Sequence, residues 1–122
     1  MDDTVARIDD AKELVKRFCE NRDWDRFHNP KDLAIGISTE AGELLERFRF
    51  KTPEQCSELL SDPTLSEGVR EELADVFYFV LRFAQMNDID LYSALEDKIA
   101  KNGEKYPVEK SRGNHRKYDE LS

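Results

Sequence analysis

Val69-Arg70-Glu71-Glu72-Leu73-Ala74-Asp75-Val76-Phe77-Tyr78-Phe79-Val80-Leu81-Arg82-Phe83-Ala84 is the stretch on which the fold turns. Its apolar residues Val69, Leu73, Val76, Val80 and Phe83 or Ala84 recur at spacings of three and four, the mark of a helix with one inward stripe. This is the most apolar helix of the chain and the one expected to be most buried. Thr64 or Ser66 can cap its start, and Asn87-Asp88 ends it. Tyr78 and Leu81 fall opposite the stripe, at roughly 240° and 180° around the helix from Glu72. A second apolar face is therefore expected, covered either by another subunit or by the first helix, the connection or the tail.

The same period extends in both directions. Val5, Ile8, Ala11, Val15 and Phe18 mark a first helix over about residues 3 to 22. Asn29 is a good cap for a second, with Pro30 at its first position and Asp32 in its first turn. The stripe of that helix is Leu33, Ile37, Ala41, Leu44 and Phe48. Residues 51 to 66 read as a connection in which Thr52-Pro53-Glu54-Gln55 opens one or two turns and Asp62-Pro63 closes them. Asp90 caps a last helix through Leu91, Leu95 and Ile99, which gives out at Gly103 and Pro107. Nothing alternates at period two. The expectation is an all-α protein, an antiparallel four-helix bundle in one domain over residues 1–122, with a basic polar tail from about residue 104 to 122.

Charge narrows the function classes. Charged residues make up 38% of the chain and the net charge is −8, which argues against a nucleic-acid polymer or an anionic membrane as partner. No run approaches the roughly 18 apolar residues of a membrane span, and the acidic start lacks an apolar leader, so a soluble, cytoplasmic protein is expected. Cys19 and Cys56 are too few for a disulfide framework. From Lys98 to Tyr118 seven basic residues stand against two acidic ones, on an otherwise acidic chain. That basic segment either contacts phosphates or packs on acidic surface.

Two pairs of acids carry the chemistry. Glu40-Ala41-Gly42-Glu43 and Glu72-Leu73-Ala74-Asp75 each place two carboxylates three residues apart on one helical face, beside the apolar stripe of their helix. At about 100° per residue the second acid lies on the same side of the stripe in both helices, so packing them together can assemble four carboxylates. The plain alternative is a set of solvated surface acids in helical salt bridges. Against it, Glu40, Glu72 and Asp75 have no cation three or four residues away, and Glu43 alone has one, Arg47. Oxygen ligands without histidine suit magnesium, or manganese, rather than zinc. A di-iron bundle would need Glu-x-x-His, and neither His28 nor His115 follows a Glu at that spacing. No Gly-x-x-x-x-Gly-Lys loop is present, nor a Ser or Cys nucleophile paired with His.

Three further residues are open on their own chemistry. Phe79 continues the carboxylate edge one turn beyond Asp75 and is either a ring against a ligand or core. Trp24, the only tryptophan, sits in a polar loop as a stacking platform or a packing anchor. His28, before Asn29-Pro30, reads as a loop residue making a backbone hydrogen bond or as a functional one.

Glu40-x-x-Glu43 followed by Glu72-x-x-Asp75 resembles the metal-binding signature of the all-alpha nucleoside triphosphate pyrophosphohydrolases, the MazG-like superfamily. Arg22-Asp23-Trp24, Phe27-His28, Pro30, Gly42-Glu43-Leu44, Tyr106-Pro107, Ser111-Arg112-Gly113 and Lys117-Tyr118 are similar in order and spacing to its dCTP pyrophosphatase branch. The resemblance spans roughly residues 18 to 121. It implies that Glu40, Glu43, Glu72 and Asp75 hold magnesium on a nucleoside triphosphate. The chemistry of phosphoryl transfer then assigns a catalytic role to Glu40 or Glu43, which would orient or deprotonate a water attacking the alpha phosphorus.

Trp24, Phe50 and Phe79 then help enclose base and sugar, Lys98, Asn102, Lys105 and Tyr106 lie near the phosphates, and His28 is counted with these substrate-binding residues. The resemblance also implies a homotetramer built as a dimer of dimers. The chain departs from that branch at Phe50, Phe79 and Val15, where related enzymes have tryptophan, tyrosine and histidine. Two other classes are a non-catalytic nucleotide-binding sensor, which would share the site, and a helical protein-interaction module, which would need no metal.

Overall fold

In the computed structural model, which describes residues 1–121, every regular element is a helix. The chain forms two compact units, Met1–Asp88 and a second that starts at Ile89. The first holds α1 (Ile8–Glu20), α2 (Pro30–Glu46), α3 (Pro53–Ser61) and α4 (Pro63–Met86). The second holds α5 (Leu91–Lys105) and α6 (Val108–Ser111). The all-helical expectation is met, and each of the four long apolar periods is a helix. No helix among the described residues is long and apolar enough to cross a membrane.

Helix starts follow local chemistry. Asn29 accepts from the Asp32 amide at 2.9 Å with Pro30 in the first turn. Thr52 and Gln55 form the reciprocal capping box, at 3.2 and 2.9 Å. Asp90 accepts from the Ser93 amide at 2.9 Å.

Three boundaries differ from the sequence reading. α1 starts at Ile8 rather than near residue 3, because the Asp2 side chain draws the Thr4 amide into a turn and the Arg7 amide donates to Asp10. α4 starts at Pro63: Asp62, rather than Thr64 or Ser66, accepts from the Thr64 and Leu65 amides at 2.8 and 3.0 Å. Pro63 thus opens a helix as well as closing α3, which is itself a full nine-residue helix. The tail is not all irregular either, since it contains α6 and a 3-10 turn at Tyr118–Glu120.

α4 is the hub of the first unit, packed by α1, α2 and α3. Its direction relative to α2 follows from three contacts: Arg82 meets His28, Phe79 lies over Gly36, and Glu72 meets Arg47. Numbers rise along one helix as they fall along the other, so the pair is antiparallel. The core is Val15, Cys19, Leu33, Val69, Leu81 and Ala84, together with the fully buried Arg82.

α1, with 13 residues against the 24 of α4, is about 20 Å long beside about 36 Å. It covers the C-terminal half of α4, where Leu81 is buried and the Tyr78 hydroxyl meets Cys19 Sγ at 3.1 Å. The face expected at Tyr78 and Leu81 is therefore closed by α1 of the same chain. The stripe residue Leu73 is 57% exposed and Phe77 50%. With Arg70, Ala74, Val76, Val80 and Asp3 they line an open groove of about 650 Å³.

Candidate metal and nucleotide site

The antiparallel pairing of α2 and α4 brings Glu40, Glu43 and Glu72 together, with one carboxylate oxygen from each inside a 4.8 Å group. Glu40 and Glu72 are half-buried and Glu43 is exposed. Asp75, the fourth acid of the sequence pattern, is exposed one turn further along α4 and is not in this group.

Like charges at such range repel, and the effect falls on Glu43. Its carboxyl is held above the usual carboxylate range, chiefly by hydrogen bonding and charge from Glu40 and then by the same from Glu72. One cation lies nearby. Arg47 Nη2 donates to Glu72 Oε1 at 3.0 Å, across the helix pair. The sequence places Arg47 one turn from Glu43 on the same helix, yet the guanidinium crosses to α4 instead. Gly68 permits this, because a Cβ at that position would overlap the guanidinium.

Glu40 Oε2 and Glu72 Oε2 are both buried and lack any hydrogen-bond partner. A buried carboxylate oxygen without a donor is costly, by about 1–3 kcal/mol or more for a charged group. Three carboxylates facing one guanidinium, two of them with orphaned oxygens, therefore fit a hard divalent cation. No imidazole or thiol belongs to the group, which disfavours zinc and suits magnesium or manganese.

An aromatic wall leads to this cluster. Trp24 and Phe18 meet edge to face with centroids 5.6 Å apart, Phe18 and Tyr78 at 6.1 Å, and Tyr78 and Phe79 at 5.0 Å. Phe79 then seats its ring on Gly36, one turn before Glu40. Trp24 is 37% exposed, so one part of its ring packs and another is open. Phe79 is half-buried, and its packing on α2 does not remove it from the edge that also carries Glu72.

Phe50 stands apart from these rings. It lies just past the end of α2 with φ of 65°, a left-handed conformation that bulky residues rarely adopt. Its side chain is 90% exposed, with the Arg49 guanidinium 4.6 Å from the ring centroid. Gln55, Glu58, Leu59 and Leu65 share its open groove of about 580 Å³.

His28 has a partner that sequence reasoning did not foresee. Its Nδ1 accepts from Arg82 Nε at 2.9 Å. Arg82 also donates to Asp25 and, at 2.5 Å, to Gln85. Burial, followed by the Arg82 charge, lowers the proton affinity of His28, while Asp25 opposes this. A lone arginine inside the apolar run of residues 76–84 was the available signal for this network.

Lys98, Asn102 and Lys105 occupy one face of α5 in the second unit, and Tyr106 follows at its C-terminal cap. There the Tyr106 ring packs on Tyr118 at 6.2 Å, and Lys105 Nζ lies 4.8 Å from the Tyr118 centroid.

Comparison with known proteins adds to this geometry. A model of the MazG-like family matches residues 35–121. The dCTP pyrophosphatase 1 of Rattus norvegicus is 33% identical over 114 residues, covering 93% of this chain and 67% of that protein. The Homo sapiens protein of the same name matches with the same identity and coverage. A pyrophosphatase from Archaeoglobus fulgidus, of known crystal structure, has a TM-score of 0.76 to this fold at 33% identity. The likeness covers 82% of this chain and 92% of that one.

Proposed function

The chain belongs to the MazG-like family, and from that premise we propose that it is a magnesium-dependent nucleoside triphosphate pyrophosphohydrolase. It converts a deoxynucleotide, dCTP or a modified relative, to its monophosphate and pyrophosphate, a house-cleaning activity on the nucleotide pool. Manganese is the alternative metal. The observation that carries the reading is the Glu40, Glu43 and Glu72 group with its two buried, unpartnered oxygens. The relatives' shared name supports the base preference. In this reading residues 1–122 act as one pyrophosphohydrolase domain.

Hydrolysis at a phosphate needs charge neutralisation and an aligned water, and little covalent chemistry from the protein. Glu40, Glu43, Glu72 and Asp75 would hold the metal, which when bound neutralises phosphate charge and makes coordinated water more acidic. Glu40 or Glu43 orients the water on the alpha phosphorus and accepts its proton. Trp24 and Phe79 offer ring faces to base and sugar, and Phe50 adds a third. His28 holds the Trp24 turn beside them. Lys98, Asn102, Lys105 and Tyr106 bind phosphate oxygens and steady the departing pyrophosphate.

The protein further works as a homo-oligomer, a tetramer built as a dimer of dimers, with the open Leu73 and Phe77 face given to subunit packing. Pyrophosphate release from a panel of canonical and modified triphosphates, with magnesium or with chelator, tests the activity. Magnesium-dependent release, fastest with a deoxycytidine nucleotide, is the expected result. No release from any triphosphate would overturn it.

A further inference from the structure

Arg82 is fully buried, and its guanidinium is spent on three partners: His28 Nδ1, Asp25 Oδ1 and Gln85 Oε1. Two of these lie in the turn that follows α1, more than 50 residues away in sequence. That turn is short, with a 3-10 helix at Asp25–Phe27 and a left-handed Asp23 with φ of 56°. It carries Trp24, which leans edge-on against His28 with centroids 6.1 Å apart. The turn is also held to α1, through the Trp24 and Arg22 amides on the Cys19 carbonyl, the Arg22 guanidinium on the Phe18 carbonyl and the ring contact of Trp24 with Phe18.

A buried arginine is costly unless all its donors are used, so such a residue is seldom a filler. Hydrophobic packing would close the same space without fixing the turn's position. Directional bonds from Nε and both terminal nitrogens fix it in several directions at once. We propose that Arg82 is a positioning residue for substrate recognition: it locks the Asp25–His28 segment onto α4 and so sets where the Trp24 ring stands. This rests on the reading that Trp24 meets the nucleotide base. Arg82 itself touches no substrate and serves through Trp24, so its loss weakens substrate capture more than turnover.

Because Trp24 is the only tryptophan, intrinsic fluorescence reports on the ring directly. Arg82→Lys keeps a buried cation but can reach fewer partners, and Asp25→Asn weakens the lock from its half-exposed side. In both full-length variants, the expected result is a red-shifted emission with readier acrylamide quenching, at wild-type far-UV circular dichroism. With dCTP as probe, KM should rise by about fivefold or more while kcat stays within about twofold.

Should Arg82→Lys fail to fold, Asp25→Asn carries the same readouts, since its side chain is half exposed and its removal leaves the core filled. Unchanged Trp24 emission in a folded variant would overturn the proposal, as would a fall in kcat at constant KM. If the wild-type protein hydrolyses no triphosphate, the activity assigned above fails while the fluorescence arm still decides the role of Arg82.

Discussion

Glu43 is the residue at which electrostatics and activity meet. Glu40 and Glu72 raise its proton affinity, so ionising Glu43 in the metal-free cluster opposes folding. Replacing one of them by its amide should relieve this repulsion. Glu43→Gln is expected to raise the melting temperature in chelator, to lose most of the stabilisation by magnesium, and to lower turnover by about 100-fold or more. Wild-type turnover in this variant would remove Glu43 from the site.

His28 gives the opposite sign of linkage. Its folded proton affinity lies below the ordinary value of 6.5, because burial and Arg82 disfavour a second cation. The unfolded chain then binds more protons, so stability is complete above about pH 6.5 and declines as pH falls below it toward the folded value. Urea midpoints measured from pH 7.5 to 5 should fall in wild type and fall less in His28→Asn. A flat wild-type profile would show that the Arg82 bond does not couple to His28 protonation.

The Arg82 network was not legible in the sequence because its partners lie 54 and 57 residues distant. Arg47 shows the same limit in another form. Its helical neighbour Glu43 could be read from spacing, but its preference for Glu72 depends on Gly68 of a different helix.

Among elements, the caps were the most legible features, since a cap is settled within three residues. Asn29, Thr52 and Asp90 each accept the amide that their position implies. Asp62 was missed because Pro63 can be read either as a stop or as a first helical residue, and here it is both. The carboxylate face was legible for a different reason: acids three apart on two helices stay on one face whatever the packing. That Asp75 falls outside the group of three was not, because this depends on how α2 and α4 pack.

The α2 and α4 pairing rests on a close contact at Gly36. A methyl group there would lie 2.5 Å from the Phe79 ring. Gly36→Ala gains helix propensity of about 1 kcal/mol yet must displace that ring, and overpacking costs about 1–3 kcal/mol. A net loss of up to about 2 kcal/mol is expected, read from the urea midpoint, with the loss reduced in a Gly36→Ala, Phe79→Ala double variant relative to Phe79→Ala alone. A Gly36→Ala protein more stable than wild type would contradict the close packing of the two helices.

At the scale of the whole molecule, the small apolar core and the open Leu73 and Phe77 face belong to one problem. A chain with this little buried side-chain volume gains most from a partner that covers the open Leu73 and Phe77 side of α4. Leu73→Glu should lower the mass seen by light scattering by half or more, while the wild type remains oligomeric at micromolar concentration. An unchanged mass would move the interface elsewhere. Sequence pattern alone put the second face at Tyr78 and Leu81, because helical angle carries no information about which side of α4 α1 packs against.

In the proposed reaction the carboxylate cluster directs water to the alpha phosphorus of a nucleoside triphosphate. Hydrolysis of dCTP in oxygen-18 water with magnesium, with products resolved by phosphorus NMR and mass spectrometry, tests it most directly. The expected outcome is one heavy oxygen in dCMP and none in the pyrophosphate released with it, abolished in Glu43→Gln. Label in the pyrophosphate, or dCDP and phosphate as the products, would contradict the account.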